Sequence, residues 1–91
     1  LITCKKGTDR NNLVQYIESK GIQTRMLFAG NLIKHPCFDQ MRASGKGYRV
    51  IGDLSVTDRV MNNTFWVGVY PGMTDEMIDY MAKTITEAVN Q

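Results

Sequence analysis

His35 is the single histidine of this chain, and Cys4 and Cys37 are its two cysteines. One imidazole cannot make a histidine pair for a metal ion. Two isolated thiols fall short of the four protein ligands that a zinc or iron–sulfur site usually takes. A disulfide between them stays open on spacing alone. The plainer reading is two reduced, partly buried thiols packed as small apolar groups. No Gly-x-Ser-x-Gly elbow and no Walker-type phosphate loop occurs. Gly45-Lys46-Gly47 lacks the flanking strand and helix of a phosphate loop and reads as a flexible turn. Asp53 and Asp58 are conceivable as an acid–base pair. However, Asp53 follows Gly52 as a turn residue would, and Asp58 suits the positive end of a helix. Trp66 offers a stacking platform, but in mid-strand it reads first as core. No catalytic residue, cofactor ligand or metal ligand is therefore assigned within this chain.

The stretch from Arg25 to His35 is chemically richer. Arg25, Lys34 and His35 supply donors and positive charge, and Asn31 adds a neutral amide. Phe28 adds an apolar surface, and Gly30 lets a ligand approach the backbone. Together they suit a polar, anionic, ring-bearing ligand. A surface loop with ordinary charges accounts for the same residues equally well.

These residues need elements to position them. Ile2 to Lys5 reads as a short strand, and Gly7-Thr8-Asp9 offers N-cap oxygens for a helix. Leu13, Val14 and Ile17 share one face of that helix, which Lys20-Gly21 closes. Ile22 to Phe28 is the next strand, with Met26, Leu27 and Phe28 expected in the core. From Ala29 to Gly47 there is no clean period. A segment this long calls for a function or for a short helical turn near Phe38 to Arg42. Tyr48 to Ile51 is expected to be extended, and Ser55 to Met61 a two-turn helix. Thr64 to Tyr70, aromatic and β-branched, is the strongest strand. Thr74 caps a last helix, whose Met77, Ile78, Met81, Ala82, Ile85, Ala88 and Val89 form one apolar stripe. The stripe is expected to be core. The resulting class is α+β: a small sheet of about three strands with helices packed on one face.

Ninety-one residues make a single domain with a small core. Net charge is +2, from 11 basic and 9 acidic residues, which gives no pull toward nucleic acid. No apolar run approaches the roughly 20 residues that span a bilayer, and no signal-peptide pattern opens the chain, so a cytoplasmic, non-membrane protein is expected. The chain opens at Leu1-Ile2-Thr3-Cys4 without an initiator methionine, as a fragment of a longer protein would.

"GIQTRMLFAGNLIKHPCF" and "YRVIGDLSVTDRVMNNTFWVGVYPGMTDEMIDYM" cover most of the chain. They resemble the C-terminal part of nucleotide-diphospho-4-keto-6-deoxyhexose 3-dehydratases. These belong to a branch of the DegT/DnrJ/EryC/StrS sugar aminotransferase family that serves lipopolysaccharide O-antigen deoxysugar synthesis. The resemblance implies the small C-terminal domain of a fold type I aminotransferase, and a parent enzyme that is a homodimer. It implies a pyridoxal or pyridoxamine phosphate cofactor held mainly by a large domain outside these residues, so that the fragment alone is inactive. That cofactor acts as an electron sink while the C3 hydroxyl leaves, with a histidine other than His35 as base. Some members carry a 2Fe-2S cluster and work with a reductase partner; Cys4 and Cys37 match no part of that cluster pattern.

The resemblance further implies that a nucleotide-diphosphate sugar meets Arg25, Phe28, Asn31, Lys34 and His35. Transaminating relatives carry a His-Tyr-Pro-like stretch where this chain has Leu27-Phe28-Ala29, which fits dehydration without amino transfer. Thr64 to Tyr70 lacks the arginine with which amino-acid enzymes grip a carboxylate, which fits a sugar substrate. Two alternatives remain at this stage: a domain of a related nucleotide-sugar aminotransferase, and a stand-alone binding module for an anionic partner.

Overall fold

A computed structural model describes residues 1 to 91. The elements run as strand β1 (Ile2–Thr3), helix α1 (Arg10–Ser19), strand β2 (Thr24–Met26), and two 3-10 turns (Leu32–Lys34 and Pro36–Phe38). Helix α2 (Asp39–Ser44), helix α3 (Ser55–Asn63), strand β3 (Thr64–Val67) and helix α4 (Asp75–Val89) follow. The three strands form one antiparallel sheet in the order β1-β3-β2. The α+β class read from the sequence is the one observed.

Local chemistry explains the helices. The Asp9 carboxylate accepts the Asn12 N–H at 3.1 Å and starts α1. Gly21, at φ +83°, supplies the left-handed turn that ends it. Thr74 Oγ1 accepts the Met77 N–H at 3.2 Å and starts α4, with Asp75 and Glu76 on its positive end. At α3 the cap comes from outside the helix. Asp53, not Ser55, provides the oxygen, accepting the Ser55 N–H at 3.0 Å.

The core sits between the sheet and α1, closed by the end of α4. Phe65 is fully buried, paired with Ile2 on one side and Met26 on the other. Leu13, Val14 and Ile17 of α1, with Cys4 and Ala88, complete the cluster. Full burial of side chains such as Phe65 and Ile17 contributes roughly 1.5–3 kcal/mol each. The polar groups taken inside are satisfied. Thr24 Oγ1 donates to Glu18 at 2.6 Å, and Thr84 Oγ1 donates to the Tyr80 carbonyl at 2.8 Å.

Several expectations need correction. Strand β2 stops at Met26, and the large residues at its end stay uncovered: Met26 lies on the Phe65 face yet is 41% exposed, and Phe28 is 81% exposed. The sheet has only a short β2 to cover, so apolar bulk beyond it has no core to enter. Tyr48 to Ile51 is irregular, with no strand partner. Strand β3 ends at Val67, ahead of the backbone-permissive Gly68. Cys4 is buried but Cys37 is exposed, and both thiols are free.

The α4 stripe is core only along the line through Ile85 and Ala88; Ala82 and Val89, also expected in the core, are exposed, because nothing packs on that side of the helix. Ala88 is buried and Ile85 partly so, whereas Met77 and Ile78 are about half exposed. Met77, Met81, Tyr70 and Tyr80 instead line an open apolar groove of about 430 Å³.

Candidate functional site

The five residues singled out from sequence fall into two neighbouring groups. The first lies on the sheet face turned away from the α1 core. Arg25 is the cross-strand partner of Trp66, and alternation along the strands puts both side chains opposite Phe65. Arg25 is exposed and donates Nη1–H to the Thr24 carbonyl at 3.0 Å. No carboxylate pairs with it. Trp66 is half-buried, and the Phe28 ring meets it edge to face at a centroid distance of 5.1 Å and an interplanar angle of 76°. Phe28 holds φ +42°, a left-handed backbone that a bulky side chain rarely adopts. Beside Phe28, Leu32, Val56 and Val60 help to line an apolar cavity of about 360 Å³.

The second group is a polar node at the start of the long excursion. Asn31 is 2% exposed, and its Nδ2 donates to Asp58 Oδ1 at 2.9 Å. Lys34 Nζ reaches the same carboxylate at 2.9 Å. Both donors hold the Asp58 carboxyl below the usual carboxylate range, the Lys34 hydrogen bond first and the Asn31 bond second. The Asn31 N–H points at Met61 Sδ, 3.3 Å away. Gly30, at φ +68°, is required here: a Cβ would lie 2.5 Å from Met61 Cγ. His35 donates Nε2–H to the Ala29 carbonyl, closing the turn on itself. Arg42 of α2 donates to the Ile33 and His35 carbonyls and to Asp39. A third cation, Arg10, donates Nη1–H to the Met61 and Thr64 carbonyls at 3.0 Å each and so completes the carboxyl end of α3.

Sequence reasoning placed Asn31 and Lys34 in one stretch but missed what joins them. Asp58 lies 24 residues beyond Lys34, and no local spacing rule reaches that far. Trp66 was noted only as a core residue or a platform. Its pairing with Phe28 depends on the left-handed turn at Phe28, which the sequence does not announce.

Lys34 keeps half of its side chain exposed, so the node is neutralised without being sealed. The geometry offers an open cationic and aromatic wall at Arg25, Trp66 and Phe28. Next to it stands an ordered polar turn with one accessible ammonium. No three His, Cys, Asp or Glu side chains gather as a metal or cluster site would require. No helix is long and apolar enough to cross a membrane.

Comparison with known proteins completes the picture. The chain is 48% identical over 88 residues to a dTDP-4-dehydro-2,6-dideoxy-D-glucose 3-dehydratase of Saccharopolyspora spinosa, covering 97% of this chain and 18% of that protein. It is 47% identical over 88 residues to the lipopolysaccharide biosynthesis protein RfbH of Salmonella typhimurium, covering 94% of this chain and 19% of that protein. The chain thus spans about a fifth of the length of these relatives. The family model described as the DegT/DnrJ/EryC1/StrS aminotransferase family matches residues 1–86. With that match running over almost the whole chain, the protein belongs to the DegT/DnrJ/EryC1/StrS aminotransferase family.

Proposed function

We propose that this chain is the small C-terminal domain of a pyridoxal- or pyridoxamine-phosphate-dependent enzyme that removes the 3-hydroxyl of a nucleotide-diphospho-4-keto-6-deoxyhexose. The product serves deoxysugar synthesis for lipopolysaccharide O-antigen. One observation carries the reading: identity of 47–48% over nearly the whole chain to a 3-dehydratase of a nucleotide-linked sugar and to a lipopolysaccharide biosynthesis protein.

The residues present do not themselves fit the cofactor. The single imidazole is engaged by the Ala29 carbonyl, and the carboxylate best placed to act, Asp58, already holds two donors. Cofactor binding and proton transfer are therefore assigned to the rest of the parent enzyme, a homodimer in this reading. The same holds for any 2Fe-2S cluster and reductase partner.

The role left to this domain is substrate recognition along residues 25–35. Arg25 and the accessible ammonium of Lys34 meet the diphosphate, Arg25 as a bidentate fork and Lys34 as a point charge. Asn31 positions Lys34 by holding Asp58. His35 fixes the turn that presents both, and Phe28 supplies the apolar contact.

The test uses the full-length enzyme with a nucleotide-diphospho-4-keto-6-deoxyhexose and the cofactor, read by mass spectrometry. A product one oxygen lighter than the substrate, its C3 hydroxyl replaced by hydrogen, is the expected result; it forms only with pyridoxamine phosphate present and a two-electron source, either that cofactor itself or a reductase. An amino sugar formed in the presence of glutamate identifies a transaminase instead. The absence of any conversion across the series of nucleotide sugars overturns the reading.

A further inference from the structure

We propose that Phe28, braced by Trp66, is the platform on which the base of the nucleoside diphosphate stacks, with Arg25 meeting its phosphates. This assignment rests on the nucleotide-sugar reading and specifies which part of the substrate the open sheet face takes.

Phe28 combines three features that a connector does not need. Its backbone sits in the left-handed region at φ +42°, where a bulky residue is strained. Its side chain is 81% exposed, so no burial offsets that strain. Its orientation is nevertheless fixed, edge to face on Trp66 at 5.1 Å. A T-shaped pair leaves at least one face of each ring free of its partner, and Phe28 meets solvent with most of its surface. A flat π-surface matches such a ring.

A hexose matches it poorly. The surroundings at Phe28 are mostly apolar, Leu32, Val56 and Val60, with Thr57 the one side-chain hydroxyl among them, too few polar partners for a ring bearing several hydroxyls. Arg25 supplies the other half of the recognition. It is exposed, unpaired by any carboxylate, and opposite Trp66 in register. It lies three positions before Phe28, at most about 10 Å of chain, a span that a nucleoside diphosphate bridges.

Competitive inhibition of the full-length enzyme by free nucleoside diphosphate and by inorganic pyrophosphate tests this. Phe28→Ala is expected to weaken inhibition by the nucleoside diphosphate roughly 5- to 100-fold, the range of base–aromatic stacking. Pyrophosphate inhibition should be unchanged. Phe28→Tyr is expected to restore nucleotide inhibition, and Phe28→Leu to behave as Phe28→Ala, because apolar bulk without a ring does not stack. Arg25→Ala should weaken both inhibitors. Nucleotide inhibition within about twofold of wild type in Phe28→Ala overturns the proposal. Equal losses for nucleotide and pyrophosphate overturn it too, since they mark a structural role. If the wild-type enzyme leaves every sugar unconverted yet binds the diphosphate with this Phe28 dependence, the dehydratase reading fails and the stacking assignment stands.

Discussion

Two residues of the polar node are constrained for different reasons, Gly30 at the start of the excursion and Asp58 of α3. Gly30 lacks both the space and the backbone angle for a side chain: Met61 stands where a Cβ would go, and φ is +68°. Gly30→Ala should destabilise the protein by roughly 1–3 kcal/mol, measured as a lowered thermal or urea midpoint. An unchanged midpoint would show that α3 shifts freely away from the turn. Asp58 acts through charge. Its carboxyl is held below the usual range by Lys34 and then Asn31. A carboxylate whose folded pKa is depressed stabilises the fold above its unfolded value, and that contribution disappears as pH falls through the folded value. Stability should therefore decline as pH drops below the ordinary carboxylate range. Asp58→Asn should remove part of that decline and leave the neutral-to-alkaline limb parallel to wild type. Asp53, depressed first by the Ser55 backbone N–H, accounts for a further part. Identical acid limbs for wild type and Asp58→Asn would mean that the ion pair does not couple to folding.

Among the elements, α1 and α4 look alike in sequence and differ in what their faces meet. Ile17 is fully buried, and Ile17→Ala should cost roughly 2–5 kcal/mol. Met77 is 44% exposed, and Met77→Ala should move the unfolding midpoint far less. Comparable losses at both sites would show that the α4 stripe is core along its whole length. Thr74→Ala, which removes the α4 cap, should cost about 1 kcal/mol. The helices were legible because periodicity, caps and closing residues such as Gly21 are local signals. The ends of the strands were not. Met26-Leu27-Phe28 has the apolar density of a buried strand, yet Met26 and Phe28 remain exposed. Hydrophobicity marks a residue that leaves water, not what covers it. Residue types alone single out the candidate segment at Arg25, Asn31 and Lys34. Its internal wiring is not legible from them, because Asp58 and Trp66 reach it from across the fold.

Taken whole, the molecule is long and thinly covered, 53 × 29 × 21 Å with a radius of gyration of 16.8 Å. A compact chain of this length would measure about 12 Å. Its accessible surface, 6977 Å², exceeds by about 1,600 Å² the value of about 5,400 Å² typical for a 10.3 kDa monomer. That excess is about twice the ~800 Å² that one partner contributes to a standard protein interface. Hydrogen exchange on the isolated chain should accordingly be slowest at Leu13 to Ile17 and Phe65 and fast throughout residues 45–53. Equal protection across both regions would contradict so small a core. The sheet order carries one more consequence. Both β1 and β2 hydrogen-bond to β3 and not to each other, and β3 is the last of the three in the chain. On a ribosome, Ile2 emerges long before its partner Phe65. At about 5–20 residues per second, the wait is roughly 3 to 12 seconds. Throughout it the buried face of α1 has no sheet to lie on, so this sequence depends on late closure, and a nascent chain halted before Thr64 has no sheet at all.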